Sequence, residues 1–244
     1  MMEQPTMWQR NEMLWGVDFV QQLAHKRVLI AGLGGVGSYA AEALARLGIG
    51  HFLLVDHDTI ERTNLNRQLF ALHSTLGQLK TEVAKARILD IHPQAEVVME
   101  SRMIDETFSE WLNLQEWDFV VDAIDTLRYK ALLMEECYRC GVPMVSSMGM
   151  AERVDPTMVR LGCLSDTSND PVSKQMRTFA RRASLDLKTI RVVHSLEIPQ
   201  KRTRVIEENP PLLKGKSPLG SMVLVPATAG LFCASEALRQ WLVK

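Results

Sequence analysis

Cysteine is scarce in this sequence, with four in 244 residues, at positions 137, 140, 163 and 233. So few, so unevenly spaced, do not build the disulfide framework of a small secreted domain, and beside 13 methionines they suit a reducing compartment. The opening MMEQPTMWQR has no apolar stretch behind its charges, so no secretion signal is expected. Long apolar runs are missing as well. The longest, 222–234, is too short to cross a bilayer and is interrupted by Pro226, so no membrane span is expected. Nor is there an excess of charge of either sign. A net charge of -1 argues against general affinity for nucleic acid or membrane, so any such binding must come from a local patch. Internal repeats and low-complexity tracts are also absent, and the expectation is a cytoplasmic globular chain with a core large enough for one domain.

What is present is alternation. Apolar runs at 27–31 (RVLIA), 51–56, 96–100, 118–125 and 143–147 read as strands, and 35–47, 80–91 and 127–140 read as helices between them. Strands apolar at nearly every position suit burial on both faces, so the expected fold class is α/β: a Rossmann-like, doubly wound, mostly parallel sheet. His92-Pro93 closes the 80–91 helix. After about residue 165 the texture changes to a turn-rich DTSNDP (166–171), in which Asp170-Pro171 reads as an N-cap followed by proline at the first helical position. A strand over 192–195 and a closing helix over 227–242 complete a mixed C-terminal extension.

Gly32-Leu33-Gly34-Gly35-Val36-Gly37 follows the first strand and opens a helix. Glycines there let the backbone approach a phosphate, and the amides and dipole of the helix N-terminus attract its charge. Asp56, at the end of the next strand, is placed for a ribose hydroxyl. Two other readings fit these residues: a dehydrogenase site for NAD or FAD, and a tight turn made only for packing. The continuation is polar where a dehydrogenase would turn apolar, through Asp56-His57-Asp58, Asn64-Leu65-Asn66-Arg67-Gln68 and Gly77-Gln78-Leu79-Lys80. Arg67 and Lys80 have the charge to neutralise a triphosphate, and Asp125, at the tip of a buried strand, to hold Mg²⁺. Taken singly, the cations also read as solvated surface charges, and Asp125 as the N-cap of the next helix.

The order and spacing of GLGGVGS (32–38), DHDTIERTNLNRQ (56–68), GQLK (77–80) and DAID (122–125) resembles the ubiquitin-activating-enzyme-like adenylating superfamily. The resemblance implies a single adenylating domain over 1–244, with an N-terminal arm (1–26), a nucleotide-binding core (27–165) and a substrate and dimer region (166–244). It implies that Gly32, Gly34, Gly35, Gly37 and Ser38 line ATP and that Asp56 takes the ribose. Asn64, Arg67 and Lys80 then hold the triphosphate, and Asp125 the Mg²⁺. Arg10, in WQRNEMLWG, matches the arginine that homodimers of this family insert into the neighbouring subunit's site; on its own it reads as a solvated arm residue. Arg10, Arg67, Lys80 and Asp125 are the implied catalytic set.

Relatives that activate sulfur carriers often hold structural zinc in two CxxC pairs. Cys137-Tyr138-Arg139-Cys140 is one such pair, but Cys163 and Cys233 stand apart and a closed site needs four ligands, so no structural zinc is expected. The second half, through Ser146-Ser147-Met148-Gly149, Asp155-Pro156-Thr157, Asp166-Thr167, Asp170-Pro171 and Val192-Val193-His194-Ser195, resembles the tRNA threonylcarbamoyladenosine dehydratases. That implies adenylation of the threonylcarbamoyl carboxylate on tRNA, then cyclising dehydration with loss of AMP. No residue pattern identifies an accessory sulfur-transfer or redox protein. Some relatives carry a cysteine near the loop before the last helix, where this chain reads Lys216-Ser217-Pro218-Leu219-Gly220-Ser221, so a persulfide step is not expected. Between 174 and 204 stand nine Lys or Arg against Asp186 and Glu197, a local balance of +7 in a chain of net -1. Lys174, Arg177, Arg181 and Arg182 are the expected tRNA contacts; a solvated basic helix is the plain alternative. The rival enzyme reading is an adenylyltransferase for a ubiquitin-like sulfur carrier, and a nucleotide-binding scaffold without activity is the third.

Overall fold

The computed structural model describes residues 6–200 and 219–242. One seven-stranded sheet organises them, from β1 (Arg27–Ala31), β2 (His51–Val55), β3 (Glu96–Glu100), β4 (Phe119–Asp122), β5 (Met144–Ser147), β6 (Val159–Cys163) and β7 (Arg191–Ser195), in the order β3-β2-β1-β4-β5-β7-β6. Every pairing is parallel except β6 against β7. The α/β, mostly parallel expectation holds, with the antiparallel strand confined to the C-terminal part.

Alternate residues of each inner strand face opposite cores. Val28 and Ile30 of β1, Phe119 and Val121 of β4 and Val193 of β7 join the helices α3 (Gly37–Leu47), α4 (Lys80–Ile91) and α7 (Leu224–Leu242) on one face. Leu29 and Val120 join α5 (Leu127–Cys140) on the other face, and Val192 joins α5 and α6 (Pro171–Arg182) there. Strands buried on both sides favour apolar residues at every position, and this produced the unbroken runs of β1, β2 and β4.

Local differences have local causes. The 118–125 run is a strand only as far as Asp122, because the Asp122 side chain accepts from Ile124 N at 3.1 Å and turns the chain early. Asp125 therefore lies beyond the strand, in the loop before α5. The arm holds two short helices, α1 (Gln9–Trp15) and α2 (Val17–Leu23), and β6 is a further strand; none of the three has a strong periodic signal. Among the described residues, no helix is long and apolar enough to cross a membrane.

The turn from β1 to α3 is closed by two glycines. Gly32 has φ +89, and a Cβ there would lie 2.7 Å from the Ala123 carbonyl oxygen. A Cβ on Gly37 would lie 1.8 Å from Gly32 O. Gly34 differs, because nothing would come nearer than Gln68 Nε2 at 3.9 Å. At the far end of α3, Trp8 covers the C-cap Gly48 and meets His92 edge-on at 5.0 Å, while Asn11 Nδ2 donates to Arg46 O at 3.2 Å.

Gly37→Ala is therefore expected to lose at least about 3 kcal/mol of stability, or not to fold, since overpacking against backbone cannot relax by a rotamer change. Gly34→Ala should stay within about 1 kcal/mol of the parent. Urea unfolding of the two variants measures both.

Candidate functional site

The strand order reverses between β1 and β4, which opens a crevice at their carboxyl ends where α/β folds take ligands. Gly32 and Ala123 meet there, beside the N-terminus of α3, an end whose first amides lack helical partners and suit an anion. Asp56 follows β2 and is buried. Its Oδ2 accepts from Leu33 N at 2.6 Å and its Oδ1 from Asp58 N at 2.9 Å, so it fastens the turn from outside. Lys80 opens α4 with its ammonium buried, 2.8 Å from Asp58 Oδ2 and 3.8 Å from Asp56 Oδ1. Asn64 is buried as well, and its Oδ1 accepts from Glu61 N at 3.1 Å to close the turn Arg62–Asn64. Half-buried Arg67 gives NH1 to the Thr63 carbonyl at 2.9 Å and to Asn66 Oδ1 at 3.0 Å. The guanidinium has five N–H donors, so the remaining ones are open to an anion.

Not every expected lining residue faces the crevice. Ser38 is fully buried; its hydroxyl donates to Gly34 O at 2.6 Å and accepts from Leu69 N at 3.2 Å, so it braces the turn. Gly32 and Gly37 shape the turn, whereas Gly34 offers open backbone and Gly35 is pressed by Pro226, 3.1 Å from a Cβ there. Asp125 is exposed and takes a 3.4 Å bond from Thr126 Oγ1.

Three residues beside the site carry more than their motifs suggested. Buried Gln68 lies under the open Gly34. Asp58 is the partner that holds Lys80. Lys130 is fully buried and donates to Asp122 Oδ2 at 2.9 Å and to Ser146 Oγ at 3.2 Å, while Ser146 Oγ donates to the same carboxylate oxygen at 2.6 Å. This sealed network fixes the ends of β4 and β5 beneath the crevice. Its signal was a lysine on the apolar stripe Lys130, Met134, Cys137 of α5.

On the C-terminal side, Asp170 caps α6, accepting from Val172 N and Ser173 N, and pairs with buried Arg153 at 3.4 Å. Lys174, Arg181 and Arg182 are exposed on α6. Arg177 is not free in the same way, since its NH1 donates to both the carbonyl and the hydroxyl of Thr167. Arg191 pairs with Glu236 at 2.7 Å. Lys201, Arg202, Arg204 and the Lys216-Ser217-Pro218 stretch lie outside the described residues. A cleft of about 440 Å³ runs along α6, lined by Pro171, Lys174, Gln175, Thr178, Phe179 and Arg182, apart from the glycine turn. Buried His194 has an Nδ1 without a partner, and burial pulls its pKa below the ordinary 6.5.

Among the described residues, Asp56, His57 and Asp58 form the one group of three or more His, Cys, Asp or Glu close enough to share a metal ion. Neither Cys137 nor Cys140 belongs to it. Cys137 is buried in the core, which pushes its thiol far above the usual range, and Cys140 Sγ faces Glu136 Oε1 at 3.5 Å. Arg10 is exposed on α1, at the end of α3 remote from the turn. Eleven helical residues separate the two ends, a length of about 16 Å.

The chain is 40% identical over 235 residues to the tRNA threonylcarbamoyladenosine dehydratase of Bacillus subtilis, covering 94% of this chain and 92% of that one. It is 32% identical over 246 residues to the Escherichia coli enzyme of the same name, covering 95% and 91%. The crystal structure of that E. coli enzyme, TcdA, in complex with ATP aligns with a TM-score of 0.82 at 31% identity, over 97% of this chain and 93% of that one. Its complex with AMP aligns with a TM-score of 0.84 at 30% identity, over 96% and 93%. Residues 8–243 match the ThiF family, and with the glycine turn, Asp56, Arg67 and Lys80 gathered at one switch point, this chain belongs to that family.

Proposed function

We propose that this chain is an ATP-dependent tRNA threonylcarbamoyladenosine dehydratase. The observation that carries the reading is the gathering of an open glycine turn, Asp56, Arg67 and Lys80 around one switch point, in a chain matched nearly end to end by dehydratases. A carboxylate is a poor electrophile. Its oxygen attacks the α-phosphorus of ATP, the α–β P–O bond breaks, and pyrophosphate leaves. The resulting acyl-adenylate has AMP as a good leaving group. The ureido group of the same modification then closes on the acyl carbon and expels AMP, for a net loss of water. Ring closure is intramolecular, so positioning supplies much of the rate and no protein nucleophile is required.

In this reading Gly34 and Gly35 lie against the nucleotide, and Asp56 keeps oxygen lone pairs for the ribose beside those that hold the turn. Arg67 and Lys80 take the triphosphate. Lys80 already has a half-exposed partner in Asp58, which the phosphates replace. Asp125 is an exposed carboxylate at the crevice, a donor suited to a hydrated Mg²⁺ ion, which when bound neutralises charge on the departing pyrophosphate. The sulfur-carrier alternative is not favoured, because the near-full-length relatives are dehydratases. AMP and pyrophosphate are the expected products. Asp125→Ala and Arg67→Ala should each lose at least about a hundredfold in turnover, with Gly34→Ala folded but weak for ATP. Product analysis giving ADP and phosphate instead would end the adenylation reading.

The enzyme works as a homodimer in the cytoplasm, with Arg10 reaching the partner's site. Its support is α1, which has no buried residue and exposes Met13 at 79% and Leu14 at 73%, too remote from its own turn to serve it. Mixed dimers of Arg10→Ala and Asp125→Ala chains should recover activity, since one site in each then carries neither change. Verified mixed dimers that stay inactive would remove Arg10 from the catalytic set.

The tRNA track runs along α6 through Lys174, Arg181 and Arg182, with Arg177 supporting the helix from within. Replacing the three exposed cations by alanine should lower the slope of log affinity against log salt by about 2 to 3. ATP affinity should be unchanged. Filter binding over a salt series checks both, and an unaltered slope in the folded triple variant would make α6 a solvated face.

A further inference from the structure

Asn66 stands between Asn64 and Arg67, exposed, with an amide engaged in opposite directions. Its Nδ2 donates to the Ser221 carbonyl at 2.9 Å, across 155 residues of sequence. Its Oδ1 accepts from Arg67 NH1 at 3.0 Å, and the same NH1 donates to the Thr63 carbonyl at 2.9 Å. Arg67 is thus gripped by one nitrogen while Nε and the second terminal nitrogen remain for a ligand. The line continues past Ser221. Gly220 O accepts from Glu152 N at 2.7 Å, and Glu152 O accepts from Gln200 N at 2.7 Å. Glu152 has φ 59, a conformation that a residue with a Cβ adopts when its surroundings impose it. Hydrogen bonds therefore run from Arg67 through Asn66, the 220–221 backbone and Glu152 to Gln200. They connect the triphosphate side of the crevice with the loop after β5 and the approach to α7.

We propose that Asn66 is a positioning residue that presets Arg67 for the β- and γ-phosphates and makes residues 219–223 respond to a bound triphosphate. The proposal rests on the adenylation reading and deepens it. An anion on the free edge of Arg67 fixes the plane of the guanidinium and so holds its inner edge against Asn66 Oδ1. An amide that accepts at Oδ1 donates more firmly from Nδ2, which carries the ordering to Ser221. AMP has no phosphate beyond α and leaves Arg67 without that partner. If Asn66 only closed a surface loop, protection of 219–223 would be the same with either nucleotide.

Amide hydrogen exchange separates the two. Wild-type protein is compared without ligand, with saturating AMP, and with a saturating non-hydrolysable ATP analogue plus Mg²⁺. Exchange in 219–223 should slow with the ATP analogue by at least about fivefold relative to AMP, a local stabilisation within the range of one hydrogen bond. In Asn66→Ala the difference should shrink below about twofold, and the KM for ATP in pyrophosphate exchange should rise about tenfold, with kcat falling less. Asn66 is exposed, so the substitution spares the core, and unchanged exchange in β3 verifies the fold. Equal protection by AMP and the ATP analogue in wild type overturns the proposal while leaving ATP binding intact. So does ATP-specific protection that survives in Asn66→Ala. A wild-type protein that binds neither nucleotide overturns the adenylation reading and this inference with it.

Discussion

The contact between Gly37 and the Gly32 carbonyl is the constraint on which the site depends. It lets α3 start directly above β1, with no room for a methyl group between them. Three outside bonds then hold the shape: Asp56 on Leu33 N, the Ser38 hydroxyl on Gly34 O, and Leu69 N on that same hydroxyl. What stays open is the backbone at Gly34. The shape of the turn is therefore set by the protein's own contacts rather than by a ligand.

Two buried lysines illustrate opposite uses of an ion pair. Lys130 and Asp122 are both sealed, and Ser146 completes the donor set, so the pair is a strut with no route for exchange. Removing one partner would leave a buried charge uncompensated. Lys80 is equally buried, but the Asp58 carboxylate that meets it is 51% exposed. That carboxylate also lies 3.3 Å from His57 Nε2 and meets water on one side. The difference lies in the partner's access to solvent.

Much of this was legible in the residue order. β1, β2 and β4 were visible because each is apolar at nearly every position, and the glycine turn because it follows a strand and opens a helix. Asp170-Pro171 announced α6 through its cap, and the structure has that cap. Other features were hidden for physical reasons. The short helices of the arm and the edge strand β6 are half exposed, so their patterns are weak. Asp125 read as a strand tip because the apolar run continues past the point where Asp122 bends the chain. Charge counting treated Lys174, Arg177, Arg181 and Arg182 alike, whereas Arg177 is bound to Thr167 by a contact ten residues away that no spacing rule reveals. Ser38 looked like a ligand-facing hydroxyl because its buried partners come from the turn and from Leu69.

Helix α7 supplies Val225, Ala229, Cys233, Ala234 and Ala237 to the same apolar cluster as Val28, Leu44 and Phe119. It crosses α3 so closely that a Cβ on Gly230 would lie 2.4 Å from Val36 O, and its Trp241 meets Phe119 edge-on at 6.2 Å. The cluster therefore combines β1 with α7, the first strand and the last helix among the described residues. During synthesis, the face of α3 that α7 covers stays bare until more than 180 residues beyond it have been translated. The glycine turn, pressed at Gly35 by Pro226, acquires its final walls only then. The apolar face of α3 thus stays open until α7 has been made, and cooperative folding of this cluster waits for that helix.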